Sequence, residues 1–418
     1  MSSEASMETG VRCRCCHGPL HHTFVDLGKS PLCESYLKPD QLNQMEPFFP
    51  LHVWVCEGCF LVQLEEYVGS QSIFTEYAYF SSFSDSWLAH ARAYVDQAVE
   101  ALGLDETSYV VEIASNDGYL LKNFVERGIP CLGIDPARNV AAEAEKIGVP
   151  TLTEFFGREL AGRLLREGPP PDLVIGNNVL AQVPDLNDFV AGVAILLAPG
   201  GVATFEFPHL SRLVEETQFD TIYHEHFSYF SLHSARTVFE RHGLSLFDVE
   251  EIPTHGGSLR IHVCHQEGGS RAVSGRVGEL ASREVSEGVR DMAYYASFGE
   301  KVQAVKRRLV RFLIDAKEGG RTVVGYGAPG KGNTLLNYCG IRTDLLAYTV
   351  DRNPHKQGMF LPGTHIPIYH PDRIRETRPH YVLILPWNLK EEIMSQLGYI
   401  REWGGRFVVP IPETRVME

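Results

Sequence analysis

The stretch SYVVEIASNDGYLLKNFVERGIPCLGIDP, residues 108–136, contains the alternation that decides the fold. It starts with a β-rich run (108–114), turns at NDG and continues as a helical segment that ends at Gly128. A second apolar strand (130–136) follows and ends in an acid. Strand, turn, helix and strand in this order predict an α/β domain with a parallel sheet.

Two later runs continue the pattern. PDLVIGNNVL (171–180) and GGVATFEFPHL (200–210) have the composition of further strands of one doubly wound sheet. Ligands of such sheets bind beyond the carboxyl ends of the strands. We therefore expect a binding site where these strands end.

Polar groups stand at those strand ends. Glu112 ends the first strand, and Asp135 follows about 20 residues later, where a carboxylate would receive the ribose hydroxyls of an adenosine. The turn EIASNDG has one glycine, Gly118, and lacks the glycine-rich pyrophosphate cradle of dinucleotide sites. This favours S-adenosylmethionine, although a bare α/β domain with an incidental acid is the alternative. The predicted cofactor site comprises Glu112, Ala114, Asn116, Gly118, Asp135, Asn177 and Asn178.

Six of the nine cysteines lie before residue 60, and four of them form two C-x-x-C pairs about 40 residues apart. Each pair lets two thiolates reach one ion from a tight turn, and two pairs complete a tetrahedral zinc site. A closed four-thiolate site has no open position for substrate, so we assign it to folding. Four buried free thiols are the alternative. The predicted zinc ligands are Cys13, Cys16, Cys56 and Cys59.

A second strand–turn–helix unit, RTVVGYGAPGKGNTLLNYCG, occupies residues 321–340. Its GYGAPG motif (325–330) matches the dinucleotide fingerprint, and Asp351 follows about 25 residues later. Backbone amides at such a helix start favour a pyrophosphate, and Lys331 adds positive charge. Read alone, the motif indicates NAD and an NAD-dependent dehydrogenase.

A nucleotide sugar also carries a pyrophosphate, which the same cradle would bind. The following RNPHKQG segment (352–358) adds an arginine for bidentate contacts to phosphate and a lysine as a point charge. We favour the nucleotide sugar; the dehydrogenase and a non-catalytic nucleotide-binding scaffold are the alternatives. The predicted substrate-binding residues are Gly327, Lys331, Asn333, Asp351, Arg352 and Lys356.

Between the two units, residues 223–232 read YHEHFSYFSL. On a strand, Tyr223 and Glu225 would share one face; on a helical turn, Tyr223 and His226 would. Histidine is the natural base at neutral pH. A metal site is disfavoured, because His224 and His226 lack the i, i+4 spacing of helical zinc motifs. Aromatic residues in the core with histidines at the surface are a further alternative.

Composition restricts the partners. A formal charge of −15 argues against nucleic acid or an anionic membrane as the main partner. No apolar run approaches the ~20 residues that a bilayer span requires. The first residues, MSSEASMETGVRCRCC, lack the apolar segment of a secretory signal. We expect a cytoplasmic protein in a reducing environment, without an obligate protein partner.

Taken together, the cysteine pairs, EIASNDGYLL, NNVLAQVPDLNDF, YHEHFSYFSL and GYGAPGKGNT resemble the sugar C-methyltransferases of antibiotic deoxysugar pathways. The resemblance spans nearly the whole chain and is strongest to the enzymes that methylate C-3 of a dTDP-linked 3-amino-4-keto sugar for tetronitrose. It implies a small zinc-binding domain (1–72) followed by two Rossmann-like α/β domains. The first of these (73–275) would bind S-adenosylmethionine, and the second (276–418) the nucleotide sugar.

The resemblance also implies catalytic residues. His226 would be the base that removes the C-3 proton, and Tyr223 would donate a hydrogen bond to the enolate oxygen. Glu225 would orient or polarise its neighbours, and Tyr77 in EYAYFSSFS would be a second phenol near the substrate. These relatives carry His where this chain has Gln182, which can form hydrogen bonds but cannot act as an acid or base.

Overall fold

The computed structural model describes residues 10–75, 81–83, 85–268 and 271–417. Seventeen strands in these ranges form sheets of four, seven and six strands. The strands are β1 His22–Ser30, β2 Phe49–Val55, β3 Val62–Leu64, β4 Val110–Ile113, β5 Cys131–Ile134, β6 Thr151–Leu152, β7 Leu173–Asn177, β8 Val202–Pro208, β9 Ser228–Tyr229, β10 Leu244–Ile252, β11 Ser258–His265, β12 Val323–Tyr326, β13 Thr349–Val350, β14 Ile368–Tyr369, β15 Tyr381–Ile384, β16 Arg406–Val409 and β17 Arg415–Met417.

The α-helices of the described ranges flank or connect these sheets. They are α1 Ser70–Phe74, α2 Asp85–Leu102, α3 Lys122–Val125, α4 Arg138–Lys146, α5 Arg158–Glu167, α6 Leu186–Leu196, α7 Leu210–Glu215, α8 Leu232–Glu240, α9 Gly275–Glu287, α10 Met292–Ala296, α11 Phe298–Glu318, α12 Gly330–Cys339, α13 Arg373–Thr377 and α14 Lys390–Gln396. None of these helices combines the length and apolarity that a bilayer crossing requires.

The seven-stranded sheet has the order β10-β11-β8-β7-β4-β5-β6. Strands β8, β7, β4, β5 and β6 are parallel, and β11 and β10 continue the sheet antiparallel. All four residues of β4 are buried, as expected for a central strand covered on both faces. The strands predicted around the EIASNDG turn are confirmed as β4, β5, β7 and β8.

The six-stranded sheet has the order β14-β13-β12-β15-β16-β17 and is parallel except for its edge strand β17. It begins with β12 and α12, the strand and helix predicted around the GYGAPG turn. The two predicted Rossmann-like α/β units are confirmed, and a small N-terminal part with its own sheet precedes them.

The four-stranded N-terminal sheet contains one strand from far along the chain. Its order is β1-β2-β3-β9, and β9 begins two residues after the last histidine of YHEH. In this pairing Val62 lies opposite Tyr229 and Gln63 opposite Ser228. The N-terminal part therefore holds the segment that follows the candidate catalytic residues.

Candidate active site

A cavity of about 1070 Å³ lies where the three parts of the chain meet. Asn116 and Asp135 line it from the seven-stranded sheet, and Lys331 lines it from α12. Tyr223 and His226 of the YHEH segment also line its wall. Its volume is slightly above the ~300–1,000 Å³ usual for small-molecule pockets.

Asp135 organises the turn after β4. Its Oδ2 accepts a hydrogen bond from the backbone N–H of Asn116, and its Oδ1 accepts one from that of Ala137, both at 2.9 Å. Burial raises the pKa of the Asp135 carboxyl, and the two backbone donors oppose that shift. Ala114 and Asn116 adopt left-handed backbone angles, with φ of 60° and 49°, and both line the cavity.

Asn177 and Asn178, at the end of β7, also line the cavity. The side-chain amide of Asn177 is buried and has no hydrogen-bond partner, on either its oxygen or its nitrogen, within the described residues. A buried amide without a partner costs roughly 1–3 kcal/mol, which a polar ligand in the cavity would offset. The cofactor end of the cavity therefore offers an unused donor and acceptor.

Two predicted cofactor residues lie off the cavity wall. Glu112 is fully buried in β4, where burial, with Asp135 and Asp117 nearby, raises the pKa of its carboxyl. Gly118 is needed for packing, because a Cβ there would lie 3.0 Å from Cγ2 of Val149. At its φ of 76°, a larger residue would also be strained.

We expect Asp135→Ala to weaken S-adenosylhomocysteine binding by roughly 1.5–3 kcal/mol, the value of a hydrogen bond to a charged group. Titration calorimetry measures this directly. Asp351→Ala is the matched control, because Asp351 accepts the same pair of backbone hydrogen bonds in the other α/β unit. Equal losses in both variants would contradict this placement of the cofactor.

The YHEH segment forms a tight turn in which the His226 N–H donates to the carbonyl of Tyr223 at 2.9 Å. The rings of Tyr223 and His226 therefore lie together, with centroids 4.1 Å apart. His224 turns away, and its Nε2–H donates to the carbonyl of Pro50 at 3.1 Å. Tyr223 and His226 thus lie on one side, as predicted for a helical turn, although the segment is a single hydrogen-bonded turn and not part of a helix.

His226 is held in one tautomer. Its Nδ1 lies 3.0 Å from the carbonyl oxygen of Thr221, which can only accept, so Nδ1 carries the proton and Nε2 carries a lone pair. Burial lowers the pKa of His226 to about 4. At neutral pH the ring is therefore an uncharged base.

This burial makes stability depend on pH. The pKa of His226 falls from the ordinary 6.5 to about 4, so between these values the unfolded chain binds a proton that the folded chain does not. The free energy of unfolding therefore decreases as the pH falls through this window. We expect the parent to lose about 2 kcal/mol more than His226→Asn between about pH 7 and pH 5 in urea unfolding. His370→Asn, which replaces an exposed histidine, should lose as much free energy of unfolding as the parent. If His226→Asn also loses as much as the parent, the pKa shift does not belong to His226.

The other predicted catalytic residues surround this turn. Glu225 lines the cavity, and its Oε1 accepts from Sγ of Cys33 at 3.4 Å. Burial, and then Cys33 and Glu225, raise the pKa of Tyr223 well above its ordinary value, so its hydroxyl stays a donor. Gln182 lines the cavity from the 3-10 turn Leu180–Gln182. Tyr77 lies outside the described residues.

The predicted substrate end lies in the second α/β unit. Gly327, Lys331, Asp351, Arg352 and Lys356 line the cavity. Asn333 does not line it; it donates instead to the carbonyl of Cys33 at 2.5 Å. The structure thus brings five of the six predicted substrate residues to the cavity.

The cations at this end differ in their contacts. Lys356 pairs with Glu34 at 3.3 Å and donates to the carbonyl of Ala328 at 2.9 Å. Lys331 donates to Oδ1 of Asn388 at 2.9 Å and lies 4.8 Å from the centroid of the Trp387 ring. The charge of Lys356 is therefore balanced by Glu34, whereas Lys331 has no carboxylate in contact among the described residues.

Three further residues line the cavity that the sequence patterns did not single out: Trp87, His90 and His255. His90 pairs with Oε2 of Glu206 at 2.9 Å, and Trp87 stacks on His90 with centroids 5.0 Å apart. Of these three, only His255 stands in a local pattern that could have indicated it, a histidine followed by two glycines in THGG, residues 254–257.

The four predicted zinc ligands form a compact cluster. Their sulfur atoms all lie within 4.8 Å of one another, and two contacts, Cys13 to Cys59 and Cys16 to Cys56, are 3.5 Å. Zinc–sulfur bonds of about 2.3 Å place tetrahedral ligands about 3.8 Å apart, so the cluster fits the ion. Both C-x-x-C turns close alike, with a backbone hydrogen bond to the first cysteine's carbonyl of 2.9 and 2.8 Å.

Comparison with family models covers most of the chain. Residues 13–74 match a "Putative zinc binding domain", 87–249 a "Methyltransferase domain" and 253–412 a "C-methyltransferase C-terminal domain". The C-methyltransferase NovU of Streptomyces niveus is 38% identical over 408 residues, which are 97% of this chain and 96% of the relative.

The chain belongs to the C-methyltransferase family. As a C-methyltransferase it is an enzyme that uses S-adenosylmethionine, and its match to a zinc-binding domain contains the four clustered cysteines, whose geometry fits zinc. The glycine-rich turn of 325–330 lies inside the C-methyltransferase C-terminal match. The alternatives of an NAD-dependent dehydrogenase and of a non-catalytic scaffold are therefore not supported.

The similar solved structures cover less of the C-methyltransferase than NovU does. Magnesium protoporphyrin IX methyltransferase from Synechocystis PCC 6803 is 16% identical, with a TM-score of 0.33 over 43% of this chain and 82% of that one. The 1,6-didemethyltoxoflavin-N1-methyltransferase of Burkholderia thailandensis is 17% identical, with a TM-score of 0.35 over 45% and 84%. TM-scores this low add nothing on chemistry.

Proposed function

We propose that the enzyme methylates C-3 of a dTDP-linked 4-keto sugar, of the 3-amino-2,3,6-trideoxy class from which tetronitrose is made in antibiotic biosynthesis. Residues 73–275 would bind the cofactor and 276–418 the nucleotide sugar, with 1–72 as the zinc-binding domain. The family supports carbon as the acceptor. The observation that supports the proposal is a cavity whose wall is shared by the cofactor turn, by His226 and Tyr223, and by Lys331.

The substrate class follows from what a carbon acceptor needs. When bound, S-adenosylmethionine supplies an electrophilic methyl group. A saturated sugar carbon has no electron pair to attack it, but a carbon beside a carbonyl can lose a proton and become an enolate carbon. The enzyme must therefore supply a base for that proton and a donor for the oxygen that takes the charge.

The residues of the turn fit these two needs. His226 removes the C-3 proton with Nε2, the nitrogen that its bond to Thr221 leaves free. The electron pair of the broken C–H bond forms the carbon–carbon double bond, and the carbonyl oxygen takes the charge. Tyr223, whose hydroxyl stays protonated, donates to that oxygen. Gln182, on the wall, hydrogen-bonds to the sugar but cannot move the proton.

The nucleotide is assigned to the glycine-rich turn. The N-terminus of α12 presents backbone N–H groups, which favour a pyrophosphate. Lys331 and the exposed Arg352 supply the positive charge, because Lys356 is already paired with Glu34.

The test is a matched pair of substrates. We expect the dTDP-4-keto sugar to gain one methyl group at C-3, with release of S-adenosylhomocysteine, and its C-3 proton signal to disappear from the NMR spectrum. The same sugar reduced to the C-4 alcohol has no acidic C-3 proton and should not react. Methylation of the alcohol, or of an oxygen or nitrogen, would contradict the proposal.

A further inference from the structure

His255 lies in a turn that holds it in an uncommon conformation. Its φ is 55° and its ψ is 17°, in the left-handed region that residues other than glycine rarely adopt. The next two residues, Gly256 and Gly257, have φ of 94° and 112°. Holding a histidine there costs about 1–3 kcal/mol and persists only where the surroundings impose it.

The neighbours of residues 254–257 impose this left-handed conformation. A Cβ on Gly256 would lie 2.7 Å from Cη2 of Trp387, and one on Gly257 would lie 2.8 Å from Cγ of Arg212. The Thr254 hydroxyl donates to Oε1 of Glu206 at 2.9 Å. Close neighbours on both sides therefore fix the backbone of the turn that carries His255.

That ring enters the cavity beside the cofactor end. His255 lines the cavity, its ring meets the Trp87 ring edge-on at 5.1 Å, and its Nε2 lies 3.4 Å from Nδ2 of Asn178. An amide nitrogen only donates, so Nε2 of His255 accepts and its proton is on Nδ1. Within the described residues, Nδ1 has no protein partner.

The ring is uncharged at neutral pH. Burial, and then the charge of Lys331, lower the pKa of His255 to about 4. His255 is also close enough to His226 to depress the pKa of that ring. The cavity thus contains two neutral imidazoles: His226 presents a lone pair, whereas His255 presents an N–H.

We propose that His255 is a second catalytic residue, whose Nδ1–H donates a hydrogen bond to the substrate's carbonyl oxygen as that oxygen takes the enolate charge. This rests on the proposed function. The C–H bond breaks, its proton goes to Nε2 of His226, its electron pair forms the carbon–carbon double bond, and the carbonyl π pair moves to oxygen. The His255 proton stays on Nδ1. With the Tyr223 hydroxyl, the oxygen then has two donors, as in an oxyanion hole.

The experiment measures single-turnover methylation of the dTDP-4-keto sugar at saturating ligands, with hydrogen or deuterium at C-3. Two variants keep the left-handed turn, His255→Asn and His255→Gly, since asparagine and glycine tolerate it best. We expect His255→Gly to be about 10²-fold slower than the parent, the effect of losing one oxyanion donor. His255→Asn should keep more of the rate, because its amide N–H can replace the Nδ1–H donor. Deuterium should slow His255→Gly further, because proton removal becomes limiting. Added imidazole should restore rate to His255→Gly and have no effect on the parent.

Calorimetry with S-adenosylhomocysteine and with dTDP separates a catalytic from a supporting role. The proposal is supported if His255→Gly binds both ligands with the parent's affinities, reacts slowly and regains rate with imidazole. A parent-like rate in His255→Gly overturns it, as does a defect that saturating ligands remove. A parent that does not methylate the keto sugar overturns the proposed function itself, and with it the role of His255.

Discussion

His226→Asn is expected to turn over about 10²–10⁴-fold more slowly than the parent while still binding both ligands. The reason is the tautomer: Nδ1 of His226 is bonded to the carbonyl of Thr221, so Nε2 is the atom that can take a proton. Asparagine can keep the bond to Thr221 through its amide but offers no base. Turnover at saturation and the affinities for S-adenosylhomocysteine and dTDP measure the two effects separately.

The matched control lies two residues away. His224→Asn removes an imidazole from the same turn, but that ring points to the carbonyl of Pro50 and does not line the cavity. Its turnover should stay close to the parent value. A His226→Asn enzyme that methylates at the parent rate would show that another group removes the proton.

Cys56→Ser is expected to abolish zinc binding and to unfold roughly the first 70 residues. Structural zinc contributes about 10–16 kcal/mol in small zinc domains, and serine does not replace a thiolate ligand. Cys13, Cys56 and Cys59 also belong to the apolar core that includes Leu61 and Phe230, so their displacement opens that core. Metal analysis should fall from about one zinc per chain to none, and limited proteolysis should cut the N-terminal residues.

Cys15→Ser provides the control for this effect. Cys15 is equally buried in the same turn but is not one of the four clustered thiols. That variant should keep its zinc and its resistance to proteolysis. A full zinc content in Cys56→Ser, or none in the parent, would contradict the four-cysteine site.

Short-range patterns predicted the architecture well. The buried run of β4, the acid at the end of β5 and the two C-x-x-C turns all depend on neighbours in sequence, which propensity and spacing describe. The choice between strand and turn for YHEH did not follow from its residues. It depends on contacts such as Thr221 to His226 and on the pairing of β9 with β3.

Long-range pairing also explains what the sequence could not show at the substrate end. Lys356 was predicted to contact phosphate, a role that stays a prediction, yet its ion-pair partner Glu34 lies more than 300 residues earlier. His255 is a single histidine 29 residues after His226. Its ring contacts Trp87 of α2 and Asn178 after β7, and the next residue, Gly256, lies against Trp387. Such contacts are set by the packing of whole elements, which no local pattern records.

The pairing of β9 with the N-terminal sheet limits how this enzyme can be re-engineered. β9 begins two residues after His226, and its neighbour in the sheet is β3. A chimera that takes the middle segment from a relative would pair the relative's β9, and the catalytic turn before it, with a β3 of different sequence. Exchanges aimed at new substrates should therefore move residues 13–74 and 223–230 together. They should also keep the glycine-rich unit, because its Asn333 and Lys356 contact the N-terminal part.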